Sequence, residues 1–516
     1  MRLNSVFVLL SVFYCEIVSG LKLLVVFPVP ARSHYILGNA LGKGLANQGH
    51  EVTLIGGFSE PNPPKNYKEI VLDADALREQ EKHTKRNMFD MASVSPFFQI
   101  FFLNYVSDMI MNFFFNSTDV QALLKSNETF DAVILEQFLC DGLQALGHHF
   151  NAPVIIFSTI GSNRWVNNLV ANPEPASYIP DLFLSSTGDM TFNERAYNFL
   201  FSAIAQLNLY YIVYPKHARY VKKYFPKAPD FEDIHFNVSL VLLNAHESIN
   251  QPVPHVPNMI DIGGYHVNPP KELPKDLQDF MDSAKDGVIY FSMGSNLKPS
   301  DMPTKMKEVI LEVLAARKEK VLWKWDEDVL ENQPANVKIS KWFPQQGILA
   351  HPNCKLFITH GGLLSTTETV SMGVPILAFP VFGDQKLNAG RAVTLGFGKS
   401  LPFYSISKEE LASTLDELLS NPKYRENARL RSKLIQDRPI KPIELADYWI
   451  RYVVKYNGAS HLRVAGIKLP FYKYWMLDVV AVFGGGFLLA VYILVKIYKS
   501  RRSKNYQRTN IKKKKQ

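Results

Sequence analysis

Short apolar runs alternate along this chain with stretches of helical periodicity. Residues 21–27 form a β-branched-rich apolar run stopped by Pro28; a loop to Tyr35, a helical stretch to Gln48 and a second apolar run at 52–55 follow. Residues 132–135 and 154–157 repeat the pattern, so a parallel α/β domain is predicted over 21–250. Six prolines between 251 and 285 (Pro252, Pro254, Pro257, Pro269, Pro270 and Pro274) interrupt regular structure and predict an interdomain connector. Beyond it, strand-like runs at 288–293, 321–324, 355–359 and 375–379 alternate with helical segments such as 303–316, which predicts a second α/β domain over 286–440. Residues 442–461 read as a helix running back toward the first domain, inside a return and juxtamembrane segment at 441–473.

The two ends carry a different pattern. Residues 1–20, with Arg2, an apolar stretch at 6–14 and the small residues Ser19 and Gly20, have the layout of a secretory signal peptide. Residues 479–495 are apolar and uncharged, and with 475–478 they approach the ~20 residues a bilayer-spanning helix needs, so a transmembrane helix is predicted over 474–498. Tyr472, Tyr474 and Trp475 on one side, and Lys496, Lys499, Arg501 and Arg502 on the other, predict a lumenal body and a cytosolic tail at 499–516, a single-pass type I arrangement with the membrane lipid as partner. The closing Lys513-Lys514-Lys515-Gln516 resembles the dilysine retrieval signal of endoplasmic reticulum membrane proteins.

Charge then changes the picture. The net charge of +9 suggests nucleic acid until it is located: ten basic residues and no acids lie between Lys496 and Gln516, and subtracting them leaves the rest of the chain near −1. Phosphate tracking needs a positive folded surface, so a nucleic-acid partner is excluded. Of three cysteines, Cys140 and Cys354 remain once a signal peptide is cleaved, too few for a disulfide framework. Sequons at Asn116, Asn127 and Asn237 fit a lumenal body. Residues 97–115 hold eight aromatics, which read mostly as core helix, with a subset available to an apolar acceptor pocket or to the membrane.

The densest chemistry lies in Trp342-Phe-Pro-Gln-Gln-Gly-Ile-Leu-Ala-His and in Thr359-His-Gly-Gly-Leu-Leu-Ser-Thr-Thr-Glu, continuing to Gly373-Val-Pro and Asp384-Gln385. A strand ending in His360-Gly361-Gly362 and passing into a helix offers free amides and a favourable dipole to a phosphate. His360 and Ser365 add donors, Glu368 can accept from a ribose diol, and Trp342 presents a face to a nucleobase. Over almost the whole mature chain these residues resemble the UDP-glycosyltransferase family, most closely its invertebrate branch. The resemblance implies the GT-B fold: two facing Rossmann-like domains, here joined to one C-terminal transmembrane helix. It implies that Trp342 stacks on uracil, that Gln345 and Glu368 address the nucleoside, that His360, Gly362 and Ser365 hold the diphosphate, and that Asp384 and Gln385 bind sugar hydroxyls. Gly294 and Ser295, in Phe291-Ser-Met-Gly-Ser, match family positions beside the donor. Leu364 stands where the family commonly has Asn.

In the first domain, Pro28-Val-Pro-Ala-Arg-Ser-His34 follows the first strand, at the edge where open α/β sheets place ligands, and His34 matches the family's catalytic base. The family sets an Asp against this His; here Phe130-Asp-Ala-Val-Ile-Leu-Glu136 aligns with that strand and puts Glu136 at the dyad position, with Asp131 and Asp141 as weaker substitutes. The implied reaction is an inverting transfer of a hexose, preferably glucose, from a UDP-sugar co-substrate to hydroxyls of small lipophilic acceptors, as in detoxification. It calls for neither cofactor nor metal, and the family's habits suggest homo- or hetero-oligomers. The competing readings are a catalytically impaired UDP-sugar-binding partner that regulates related membrane enzymes, supported by Glu136 and Leu364, and a nicotinamide-dependent oxidoreductase. The latter lacks a G-x-G-x-x-G after the first strand, since Gly38, Gly42 and Gly44 lie in the helix at other spacings.

Overall fold

A computed structural model describes residues 20–75 and 87–513, which divide into a body up to Arg463 and a C-terminal unit from Val464. The residues read as a signal peptide, apart from Gly20, and the last three residues of the dilysine tail lie outside the described residues.

The body contains two parallel sheets. The first joins β1 (Lys22–Phe27), β2 (Glu51–Gly56), β3 (Tyr67–Val71), β4 (Ala132–Glu136), β5 (Val154–Ser158), β6 (Val238–Leu243) and β7 (Met259–Asp261) in the order β3-β2-β1-β4-β5-β6-β7. The second joins β8 (Val288–Ser292), β9 (Lys320–Lys324), β10 (Val337–Ser340), β11 (Cys354–Thr359), β12 (Ile376–Ala378) and β13 (Gly398–Ser400) in the order β10-β9-β8-β11-β12-β13. Successive residues of β8 enter different cores: Ile289 and Phe291 pack with Trp323 and Ile358, whereas Val288 and Tyr290 pack with Leu322 and Phe357. Burial on both faces is what turns these strands into unbroken apolar runs.

Strand order reverses between β1 and β4 and again between β8 and β11. Crossover helices diverge to opposite faces at such a point and leave a crevice beyond the carboxyl ends of the strands. His34, Glu136, Gly294 and His360 each follow or end one of those four strands. After β1, Pro28 and Pro30 keep the chain out of the sheet and it enters helix α1 (Arg32–Asn47). α1 lies close on its sheet through Leu37, Leu41 and Leu45 and through Gly38, where a Cβ would sit 2.5 Å from the Phe27 ring.

Further helices of the body include α2 (Pro96–Asn116), α3 (Phe192–Asn208), α4 (Leu363–Ser371), α5 (Gln385–Thr394) and α6 (Pro442–Lys455). The stretch expected as a connector at 251–285 is more ordered than its prolines suggest. Its first part supplies β7 to the first sheet, and helix Lys275–Asp282 sends Leu277 and Met281 into the second core. α6, outside the expected bounds of the first domain, inserts Ala446, Ile450 and Val453 into that domain's core, and its Asp447 meets His50 Nε2 at 2.5 Å. In the C-terminal unit, α7 (Leu477–Lys513) carries an apolar window of mean hydropathy 2.2, long enough to cross a membrane, and continues as one helix into the basic tail.

Candidate active site

His34 stands at the third position of α1, and its Nδ1 contacts Glu136 Oε1 at the end of β4. Glu136 is fully buried while the His34 side chain keeps 15% exposure, so the carboxylate sits behind the ring and the ring faces the cavity. A carboxylate accepting from Nδ1–H leaves Nε2 as the free base. Phe138 meets the ring edge-on at 4.9 Å and limits its rotation. Asp131 is exposed and accepts from the Lys22 amide at 2.7 Å, and Asp141 is buried against His217 at 3.4 Å and His235 at 3.5 Å. Neither is placed against His34.

Across the crevice, the loop after β11 turns through Gly361 (φ +84°) into α4, whose first amides are unpaired by capping side chains. The loop after β8 closes on it through Gly294 (φ +79°), where a Cβ would lie 2.6 Å from the His360 ring, and Gly362 approaches the same ring as closely. Burial first, then the Lys324 charge, lowers His360 to about 4, so the imidazole is neutral near pH 7 and offers a hydrogen bond, not a charge.

The nucleoside-side residues form one network. Gln345 Nε2 donates to Ser365 Oγ (3.1 Å) and to Glu368, Gln346 Nε2 donates to the other Glu368 oxygen (2.7 Å), and Tyr290 OH donates to Gln345 Oε1 (3.2 Å). Burial raises the Glu368 pKa, partly offset by these donors. Trp342 stands at the rim, 58% exposed, with Lys324 Nζ 4.6 Å from its ring centre. Asp384 Oδ2 accepts from Asn388 (2.7 Å), which also donates to the Gly361 carbonyl (3.0 Å) and so ties the sugar-side loop to the phosphate-side loop. Gln385 turns its oxygen to the amides of Val381 (2.8 Å) and Phe382 (3.1 Å), leaving its Nε2 for a ligand. Burial raises the Asp384 pKa and the Asn388 hydrogen bond opposes it, and Asp384 lines the same cavity as His34.

One cavity of about 960 Å3 takes in His34, Gly294, Ser295, Trp342 and the residues from His360 to Glu368 that face it, with Asp384 and Gln385. Glu136 alone of the expected donor-site and dyad residues lies behind the wall. Leu364 lines the cavity and packs toward the first domain's core, a role in domain contact in place of the polar one an Asn would have. The aromatic stretch divides by face: Phe114 and Phe115 are core, Phe102 and Leu103 line the cavity, and Phe98 and Phe101 are exposed. Lys324 is a cavity-lining residue that motif matching missed. Its signal was weak, a single Lys closing a buried strand, because its neighbours come from segments remote in sequence.

The architecture is that of a GT-B glycosyltransferase. A solved structure, the spinosyn forosaminyltransferase SpnP, superposes with a TM-score of 0.57 at 17% identity over 85% of this chain and 100% of that one, a likeness of fold alone. The family described as UDP-glucoronosyl and UDP-glucosyl transferase matches residues 22–516, and this chain belongs to it. UDP-glycosyltransferase UGT5 of Dactylopius coccus is 34% identical over 96% of this chain and 94% of its own length. Human UDP-glucuronosyltransferase 1A8 is 32% identical over 93% and 91%. The protein is therefore a UDP-sugar-dependent glycosyltransferase.

Proposed function

We propose that this enzyme transfers glucose, with inversion, from UDP-glucose to hydroxyl groups of small lipophilic acceptors in a detoxifying role. His34 Nε2 takes the acceptor proton as the oxygen forms its bond to the anomeric carbon. The bond from that carbon to the UDP oxygen breaks on the opposite face, and the leaving diphosphate keeps the electron pair. Glu136 holds the ring in the useful tautomer and faces the imidazolium once it forms. Trp342, Gln345 and Glu368 take the nucleoside, Gly362 and the first amides of α4 with His360 and Ser365 take the diphosphate, and Asp384 and Gln385 take the sugar.

The observation that carries this reading is the His34–Glu136 pair opening on the same cavity as the His360 loop. The apolar lining from α2 supports a lipophilic acceptor, and exposed Phe98 and Phe101 on its other face support contact with lipid. Exposed Asn116, Asn127 and Asn237, with the membrane-length α7 and its basic end, support a lumenal body in the endoplasmic reticulum.

The test is incubation of membranes containing the protein with labelled UDP-glucose, UDP-glucuronate and UDP-galactose and a panel of phenols. Glucoside formation that His34→Ala abolishes, with UDP binding retained, is expected. Unchanged turnover in that variant would refute the assigned base, and UDP binding without turnover in the parent would favour the regulatory reading.

A further inference from the structure

Lys324 closes β9, beside β8 in the second sheet, and so stands at the carboxyl edge that forms the cavity wall. Its Nζ donates to the Gly294 carbonyl at 2.7 Å and lies 4.6 Å from the centre of the Trp342 ring. Its charge reaches His360. The residues expected around the nucleobase and around the diphosphate therefore surround one ammonium. Building on the UDP-sugar reading above, we propose that Lys324 is a direct diphosphate contact whose ammonium neutralises the charge that UDP acquires as the glycosidic bond breaks.

The electrostatics of the cavity favour such a group. Cleavage leaves the bonding electron pair, and one further negative charge, on a diphosphate that is already anionic. The helix α4 terminus offers roughly half a positive charge, and His360 is neutral near pH 7. Glu368 and Asp384 also line the cavity and add acidic groups. Of the lysine and arginine side chains that line it among the described residues, Lys298 is exposed and Lys324 is half-buried. A partly desolvated cation acts through a lower effective dielectric and gains more from each unit of developing charge.

The groups facing Lys324 also predict how it titrates. Burial first, then Arg32 at the start of α1, lowers it to about 8, and Asp326 just after β9 opposes them. His360, from the end of β11, is uncharged there, and Trp342 and Gly294 do not titrate. A bound diphosphate favours the ammonium, so UDP binding near pH 8 should take up about half a proton.

The experiment is calorimetric titration of the full chain in detergent micelles with UDP at pH 8, in two buffers of different ionisation enthalpy, alongside steady-state kinetics. The parent should take up about half a proton, and Lys324→Met and Lys324→Arg should take up almost none. Lys324→Met should lower kcat roughly 100- to 1000-fold with the acceptor KM little changed. Lys324→Arg should recover most of that loss, and its kcat should hold above pH 8, where that of the parent should decline as Lys324 loses its proton. Parental kcat and UDP affinity in Lys324→Met, or proton uptake persisting in Lys324→Arg, would overturn the proposal. Failure of the parent chain to bind UDP at all would overturn the underlying sugar-nucleotide reading with it.

Discussion

Replacing Glu136 by Gln separates catalysis from stability, because this carboxylate is buried and does not itself line the cavity. One oxygen contacts His34 Nδ1 and the other, Oε2, has no hydrogen-bond partner. Glutamine keeps the shape but removes the charge. Its amide either accepts from Nδ1–H as a neutral group or turns its NH2 toward the ring and forces the wrong tautomer. By analogy with other acid–histidine pairs, the loss should be roughly 100- to 10,000-fold in kcat, about 3–5 kcal/mol at 1.36 kcal/mol per tenfold. Folding should respond the opposite way: a buried charge with an unpartnered oxygen is costly, so a neutral isostere should leave the melting temperature unchanged or raise it. Initial rates with labelled UDP-glucose and a phenol, UDP titration and thermal melting on the same preparation measure all three. A kcat within about threefold of the parent, or an activity loss that tracks weakened UDP binding, would refute the dyad. Glu136→Asp, shorter by one carbon–carbon bond of ~1.5 Å, should fall between the two.

Trp342→Leu should raise KM for the UDP-sugar roughly 10- to 100-fold, the worth of one aromatic stacking contact. Its melting temperature should barely move because the side chain is 58% exposed; an unchanged KM would remove Trp342 from the nucleobase site. Gly294→Ala adds a Cβ 2.6 Å from the His360 ring at a backbone φ of +79°, costing ~1–2 kcal/mol in strain and displacing the imidazole, so kcat should fall at least about tenfold. Parental kinetics in that variant would show that the two loops are not tightly coupled. Burial lowers His266 and His235 from 6.5 to about 4. In that window the unfolded chain binds more protons than the folded one, so stability present above pH 6.5 is lost as pH falls toward 4, by at most ~3 kcal/mol per histidine. Melting temperature against pH should show this decline, and His266→Gln should flatten it; parallel curves would refute the assignment. Protein made in eukaryotic cells should lose the mass of glycans on enzymatic deglycosylation, through exposed Asn116, Asn127 and Asn237, and an unshifted mobility would argue against a lumenal body.

The sequence by itself determined the features that depend on local pattern. Strands covered on both faces must be apolar throughout, so β1, β2, β4, β5, β8, β9, β11 and β12 are legible as runs, and the His360-Gly361-Gly362 turn is legible because glycine at a strand-to-helix junction has few other uses. Edge strands β10 and β13 lack that signal, since partial burial leaves them short and mixed, and β7 was hidden among the prolines of its flanks. Tertiary structure alone decided which side chains meet. His34 and Glu136 are 102 positions apart and touch because β1 and β4 are neighbours at the switch point. Lys324 reaches Gly294 and Trp342 because β9 lies between β8 and β10, and the α2 aromatics divide among core, cavity and surface by the direction each faces after packing. Hydrophobic periodicity specifies which residues leave water; the pairing of strands distant in sequence specifies what those residues find when they do.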